Sequence, residues 1–164
     1  MMTSMPKKEP LPITLRGKQK LESDLKNLIQ VERPAVIRAI EAAREQGDLT
    51  ENAEYDAAKE RQAWIEGRIN EIQGQIAGAQ VIDTSQIRSD RVVFGAHVVL
   101  VDLETDKDVT YQIVGLDEAD VRSGRISIVS PLARQLIGKR AGDVAEVPTP
   151  IGNKEYEIKK FFFE

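Results

Sequence analysis

Apolar residues recur through the first half of the chain at the spacing of a helix face. Leu21, Leu25 and Leu28 keep a four–three step, and Val36, Ile40 and Ala43 form a second stripe farther on. This periodicity predicts a helix from about Leu15 to Gln46, with Thr14 as its N-cap. The stripe shifts by one position near Arg33-Pro34. Pro34 removes one backbone hydrogen bond and crowds the preceding turn, so a kink or short break is expected there. A second run, from about Glu51 to Gln80, carries Ala58, Gln62, Ile65, Ile69, Ile72, Ile76 and Ala79 in a four–three repeat, which is a coiled-coil seam. Gly47-Asp48-Leu49-Thr50-Glu51-Asn52-Ala53-Glu54-Tyr55 separates the two runs and folds them back as an antiparallel pair. Folding at Asp48 sets Leu21, Leu25 and Leu28 near Ile76, Ile72 and Ile69. Toward the tip the seam thins to Ile40, Ala43, Ala53 and Ala58. Trp64, the only tryptophan, is expected to pack on the hairpin flank.

After Val81-Ile82-Asp83 the pattern changes period. Val92-Phe94, His97-Asp102, Val109-Val114, Arg125-Val129, Val144-Val147 and Glu155-Phe162 are short β-rich runs separated by Gly, Asp and Pro turns. Pro131 to Ile137 reads as a short helix capped by Ser130 and ended by Gly138. The expected layout is a tail over 1–12, a hairpin over 13–83 with its acidic tip near 47–55, a linker over 84–90, and a small α+β domain over 91–164.

Composition narrows the function. The 164 residues carry a net charge of −4, so the chain lacks the overall positive field of a free-standing nucleic-acid binder. With no cysteine, thiol catalysis, disulfides and cysteine-ligated zinc are all excluded. The lone histidine, His97, lies in a strand-like run and reads as a strand residue without chemistry. No stretch approaches the ~20 apolar residues of a membrane span. The first twelve residues lack the apolar core of a signal peptide, so a cytoplasmic location is expected.

The candidate chemistry is at the tip. Asp48 and Glu51 have capping-box spacing, Asp48 as N-cap of the second helix and Glu51 reaching back to it, and both suit the positive end of a helix dipole. The same spacing lets two carboxylates share a hard divalent cation. Mg²⁺ is commonly held by one or two protein carboxylates, with water and phosphate completing its shell. Such a pair becomes useful where a partner supplies a first metal, because phosphoryl cleavage often uses two metals ~4 Å apart. Arg44 before the tip and Lys59 after it could steady a phosphate backbone, or could be ordinary surface charge on a helix.

The tip segment resembles the signature of bacterial transcript-cleavage factors of the Gre family. Thr14-Leu15-Arg16-Gly17, Lys20-Leu21, Glu32-Arg33-Pro34, Ala42-Ala43-Arg44-Glu45, Phe94-Gly95-Ala96, Tyr111 to Gly115, Asp117-Glu118-Ala119 and Ser130 to Arg134 fit the same family. The resemblance implies an N-terminal coiled-coil hairpin and a C-terminal FKBP-like α+β domain. It implies a factor, not itself an enzyme, that binds backtracked bacterial RNA polymerase. The C-terminal domain would dock at the rim of the secondary channel, and the hairpin would carry its tip to the active site, where the polymerase cleaves the extruded RNA 3′ segment.

On this chain, the resemblance gives Asp48 and Glu51 the catalytic and metal role, with Mg²⁺ shared with the polymerase and none bound tightly by the free protein. It gives Arg44 and Lys59 contact with the nascent RNA 3′ end, Asn52, Glu54 and Tyr55 the shaping of the tip, and Ser130 and Pro131 polymerase docking. Glu41, Glu45, Asp56, Glu60 and Glu66 intersperse the cations of the hairpin face, as in the subgroup that handles short extruded fragments. A monomer is expected when free, since the length and turn of the hairpin favour folding within one chain. Two other functions remain open at this level. One is a channel plug that inhibits without cleavage. The other is a peptidyl-prolyl isomerase bearing a coiled-coil arm, for which Phe94, Tyr111, Tyr156, Phe161, Phe162 and Phe163 would have to line a pocket.

Overall fold

The structure, a computed structural model, describes residues 10–47 and 52–164. They fall into two compact units: Lys18–Gly78, and the residues before it together with Ala79–Glu164.

The first unit is the helical hairpin. Helix α1 spans Leu15–Asn27, α2 spans Arg33–Glu45 and α3 spans Ala53–Ala77. Between α1 and α2, Leu28–Glu32 forms a π-helical turn, closed by the N–H of Arg33 donating to the carbonyl of Leu28 five residues back. A π turn inserts one residue into a helix. That is the shift seen in the apolar stripe, where the step from Leu28 to Val36 is one residue longer than the seven-residue steps on either side. Pro34 follows directly, at the start of α2 where its missing N–H is tolerated. The expected break is thus a widened turn that keeps both stripes on one face. Leu21, Leu28, Val36, Ile40 and Ala43 are buried, as are Ala58, Ile65, Ile69 and Ile72 on α3. Among the described residues, two ion pairs bridge the two arms of the hairpin. Arg33 grips Glu66 in a bidentate pair at 2.7 and 2.8 Å, and Arg61 meets Glu32 at 3.0 Å.

Trp64 corrects the expectation. It is 53% exposed, with the guanidinium of Arg61 over its ring at 4.6 Å. It sits one position before Ile65 of the seam, and neighbouring helix positions do not share a face.

The second unit begins earlier in the chain than the sequence suggests. Strand β1, Leu11–Thr14, takes in Leu11 and Pro12, which the sequence reading left in the tail. It pairs in parallel with β2, Ala79–Ile82, in the register Leu11 to Ala79 and Thr14 to Ile82. The two feet of the hairpin are therefore hydrogen-bonded to each other. The segment read as a linker is ordered too. Thr84 is buried, and its hydroxyl donates to the carbonyl of Glu164 at 2.5 Å.

Beyond it stands a five-stranded sheet in the order β5-β4-β3-β7-β6, built from β3 (His97–Asp102), β4 (Lys107–Val114), β5 (Arg125–Ser127), β6 (Val144–Thr149) and β7 (Gly152–Phe162). The pairs are antiparallel except β4 with β5. Helix α4, Pro131–Leu136, contributes Ala133 and Leu136 to the core formed with Val98, Leu100, Ile113, Ile126, Ala145 and Ile158. On β3 buried and half-buried positions alternate, as a strand with one core face requires. The fold class is the expected one, a helical hairpin followed by an α+β domain. Val92-Phe94 is not a strand. Val92 is instead a buried plug whose N–H donates to the carbonyl of Lys139 and whose carbonyl accepts from Gly138, both at 2.8 Å.

Candidate functional site: the end of the hairpin

Helix α2 ends at Glu45, and Gly47 adopts φ +100°, a left-handed conformation that glycine takes without a Cβ clash. The N–H groups of Gln46 and Gly47 donate back to the carbonyls of Ala43 and Arg44, closing the last turn. Helix α3 starts at Ala53 with Asn52 as its N-cap. The Asn52 side-chain oxygen accepts from the N–H of Tyr55 at 3.0 Å, while its amide nitrogen donates to the carbonyl of Ala43 at 2.7 Å. One side chain therefore satisfies an orphan donor of α3 and an acceptor in the last turn of α2. This corrects the capping box read from the sequence, because the cap of α3 is Asn52 and not Asp48. Asp48 and Glu51 themselves lie outside the described residues.

Other tip residues close around this link. Gln46 donates to the Glu54 carboxylate at 2.9 Å, which ties the two helices by a second side-chain bond. The guanidinium of Arg44 lies 6.0 Å from the centre of the Tyr55 ring, at the outer limit of a cation–π contact. Among the described residues, Ala43 is the buried residue nearest the end on α2 and Ala58 on α3, so the buried side chains shrink toward the end on both helices. Lys59 lies one turn along α3 from Tyr55 and donates to Gln62 at 3.2 Å. The structure thus gathers Arg44, Asn52, Glu54 and Tyr55, with Lys59 a turn away.

Sequence reasoning missed two features here. Gln46 as the partner of Glu54 had no signal in spacing. Asn52 as the cap did have one, an Asn directly before a helical run. Among the described residues, no three His, Asp or Glu side chains come together as a metal site. Two carboxylates, Asp48 and Glu51, are hard oxygen donors, a set that suits Mg²⁺ in company with ligands from elsewhere.

In the second unit, the Ser130 hydroxyl accepts from the N–H of Ala133 at 3.2 Å and caps α4. Pro131 is exposed in the first turn, and Val129 beside it is also exposed. Tyr111, Tyr156, Phe161 and Phe163 pack, half-buried, against the sheet core. Among the described residues, no helix is long and apolar enough to cross a membrane.

Comparison with known proteins covers nearly the whole chain. A family model described as "Transcription elongation factor, N-terminal" matches residues 11–81, and one described as "Transcription elongation factor, GreA/GreB, C-term" matches residues 87–161. The chain is 57% identical over 150 residues to transcription elongation factor GreA of Acidiphilium cryptum, covering 92% of this chain and 96% of that one. It is 59% identical over 152 residues to the GreA of Caulobacter vibrioides, covering 93% and 97%. Among solved structures, the transcription factor Gfh1 aligns at 25% identity and a TM-score of 0.45, over 94% of this chain and 97% of that one.

Proposed function

Because the chain belongs to the GreA/GreB family of transcription elongation factors, we propose that it acts in the cytoplasm on RNA polymerase, entering the secondary channel to stimulate the polymerase's own cleavage of backtracked RNA. It is an accessory factor and cuts no RNA alone. Asp48 and Glu51 hold a Mg²⁺ jointly with the polymerase active site. A metal so placed supplies charge neutralisation and a more acidic bound water. The chain's own residues do the placing. Asn52 closes the hairpin, Glu54 and Tyr55 set the shape of the end, and Arg44 and Lys59 face the phosphates of the extruded RNA 3′ segment. Ser130 and Pro131 dock the second unit on the polymerase, and the free factor is a monomer.

The observation that carries this reading is the double cap made by Asn52. A capping box was the ordinary reason for an acid pair at this spacing. With Asn52 capping α3 and tied to the last turn of α2, the start of α3 is accounted for without a capping box. Two acids in the segment between α2 and α3, at the far end of the hairpin, fit work on a partner.

The test is cleavage of labelled nascent RNA in backtracked complexes with Mg²⁺, with and without the protein. Faster release of short 3′ fragments is expected, and none when polymerase is omitted. Asp48→Asn and Glu51→Gln should each lower the stimulated rate by on the order of 10²-fold, the usual cost of removing a group that stabilises a reacting centre. Binding to polymerase should persist in both. Unchanged or slowed cleavage by a bound parent protein would instead identify a channel plug.

A further inference from the structure

Each buried seam residue of the hairpin has a neighbour before it and one after it, turned about 100° to either side of the seam. The two neighbours therefore lie on opposite flanks. Ties between α2 and α3 show which positions share a flank. On the side of Trp64, Arg61 bonds to Glu32 at 3.0 Å and covers the indole ring at 4.6 Å. On the other side, Arg33 bonds to Glu66 and Arg44 approaches the ring of Tyr55.

The flanks differ in chemistry. The residues just before Ile65, Ala58, Val36, Ile40 and Ala43 are Trp64, Ala57, Ala35, Ala39 and Ala42, and all of them are exposed. The residues just after the same seam positions are Glu66, Lys59, Ile37, Glu41 and Arg44, charged in every case but Ile37. One flank thus offers an indole and a strip of methyl groups, and the other offers charge. The cation on the apolar flank, Arg61, is already paired with Glu32. A lone exposed alanine signifies nothing. An exposed tryptophan steadied by a stacked arginine, at the head of an apolar strip, gives a partner a large contact area for little loss of side-chain freedom.

The charges decide which kind of partner. Single-stranded RNA needs cations for its phosphates as well as a ring to stack on. Arg44 and Lys59, the cations given to RNA above, are on the opposite flank. We propose that the Trp64 flank is a protein-docking surface, with Trp64 set against an apolar patch of the polymerase and the charged flank left to the RNA. This rests on the proposed function, which brings the hairpin inside the polymerase.

The test uses the full-length factor. Its binding to polymerase free of nucleic acid is measured beside cleavage against factor concentration in backtracked complexes. Trp64→Ala should weaken binding about tenfold or more, the loss expected on truncating an aromatic anchor. The half-saturating concentration for cleavage should rise by the same factor, with the maximal rate near the parent's. Trp64→Phe should recover much of the affinity. Ala39→Glu, which puts a charge into the strip away from the ring, should weaken binding as well. Parental affinity of Trp64→Ala for polymerase free of nucleic acid would overturn the proposal. So would a loss confined to complexes with extruded RNA, which would make Trp64 a base-stacking residue. A free parent that sediments as a dimer, with Trp64→Ala a monomer, would give the flank to a second copy and overturn it too. Should Trp64→Ala melt the hairpin, Trp64→Phe and Ala39→Glu decide by the same readings. Should the parent bind polymerase without stimulating cleavage, the proposed function falls, and the binding comparison alone decides the role of Trp64.

Discussion

The two units are held together in different ways. In the second unit, Val98, Leu100, Ile113, Leu136 and Ile158 are fully buried, drawn from three strands and a helix that enclose one core. In the hairpin the apolar residues form a single line. Ile65 and Ile72 are fully buried at its middle and base, but toward the end the line shrinks to Ala43 and Ala58. The enclosed core supplies stability from all sides. The seam supplies it from one, and near the tip it passes the task to polar closures at Asn52 and Gln46. A substitution that costs stability in one unit should therefore leave the other largely intact, and the tip should tolerate loss of activity without loss of fold.

The largest structural effect should come from cutting into each core. Ile113→Ala should cost about 2–5 kcal/mol, because a site enclosed by sheet and helix cannot collapse onto the cavity. Ile65→Ala should fall toward the low end of that range, since two helices can close partly over a gap. Denaturation followed by circular dichroism, which weights the helical hairpin, and by near-ultraviolet signal from Tyr111 and Tyr156 would separate the units. Equal costs with a single shared transition would break the comparison.

Much of this division is legible in the sequence, because period decides it. A four–three repeat can only be a helical seam, and the change to alternation after residue 83 marks a different kind of packing. The one-position shift of the stripe is legible as well, though it points to a kink or short break at Pro34 where the structure has a π turn. What escapes is what depends on distant partners. Leu11-Pro12-Ile13-Thr14 is too short to announce a strand without Ala79–Ile82 beside it. Val92-Val93-Phe94 has strand composition, yet Val92 serves as a core plug bonded to Gly138 and Lys139. Glu118 gives no local hint of its bond to Thr14. At the tip, Asp48 and Asn52 are both good caps by residue type, and the bond that the Asn52 oxygen accepts from the Tyr55 N–H is what marks Asn52 as the cap of α3. Trp64 was misjudged on chemistry when its place beside Ile65 already pointed it outward.

A smaller effect is expected where polar closure replaces apolar burial. Asn52→Ala removes the cap of α3 and the bond to the Ala43 carbonyl, and should lower hairpin stability by about 1 kcal/mol. Asn52→Asp retains the acceptor for Tyr55 but not the donor to Ala43, so it should fall between. Stimulated cleavage should drop in the same order, with the second unit melting as in the parent. Amide exchange at Tyr55 reads the cap directly, and unchanged exchange in Asn52→Ala would show that the Asn52 side chain does not hold the start of α3.

The smallest effect sharpens the picture of the second unit through acid. His97 opens β3 with its ring stacked on Phe162 at 5.0 Å and 4°. Burial pushes its pKa below the ordinary value, with the nearby Glu164 charge opposing in part. The unfolded chain therefore takes up this proton at a higher pH than the folded one, near the ordinary value of about 6.5. Stability from this site is whole above that pH and is lost as pH falls from there through the folded value, after which the loss is complete. Asp102 behaves differently. The hydrogen bond from Lys154 at 2.9 Å holds its carboxyl below the ordinary value, so its contribution survives until pH drops beneath about 4. The second unit should thus weaken in two separated steps on acidification. His97→Gln should remove the first and spare the second, while Lys154→Met should soften the second and spare the first. Melting temperatures of the three proteins across about pH 8 to 3 would show this, and parallel curves for the parent and His97→Gln would mean that the stacked ring is no less ready to charge than a free one.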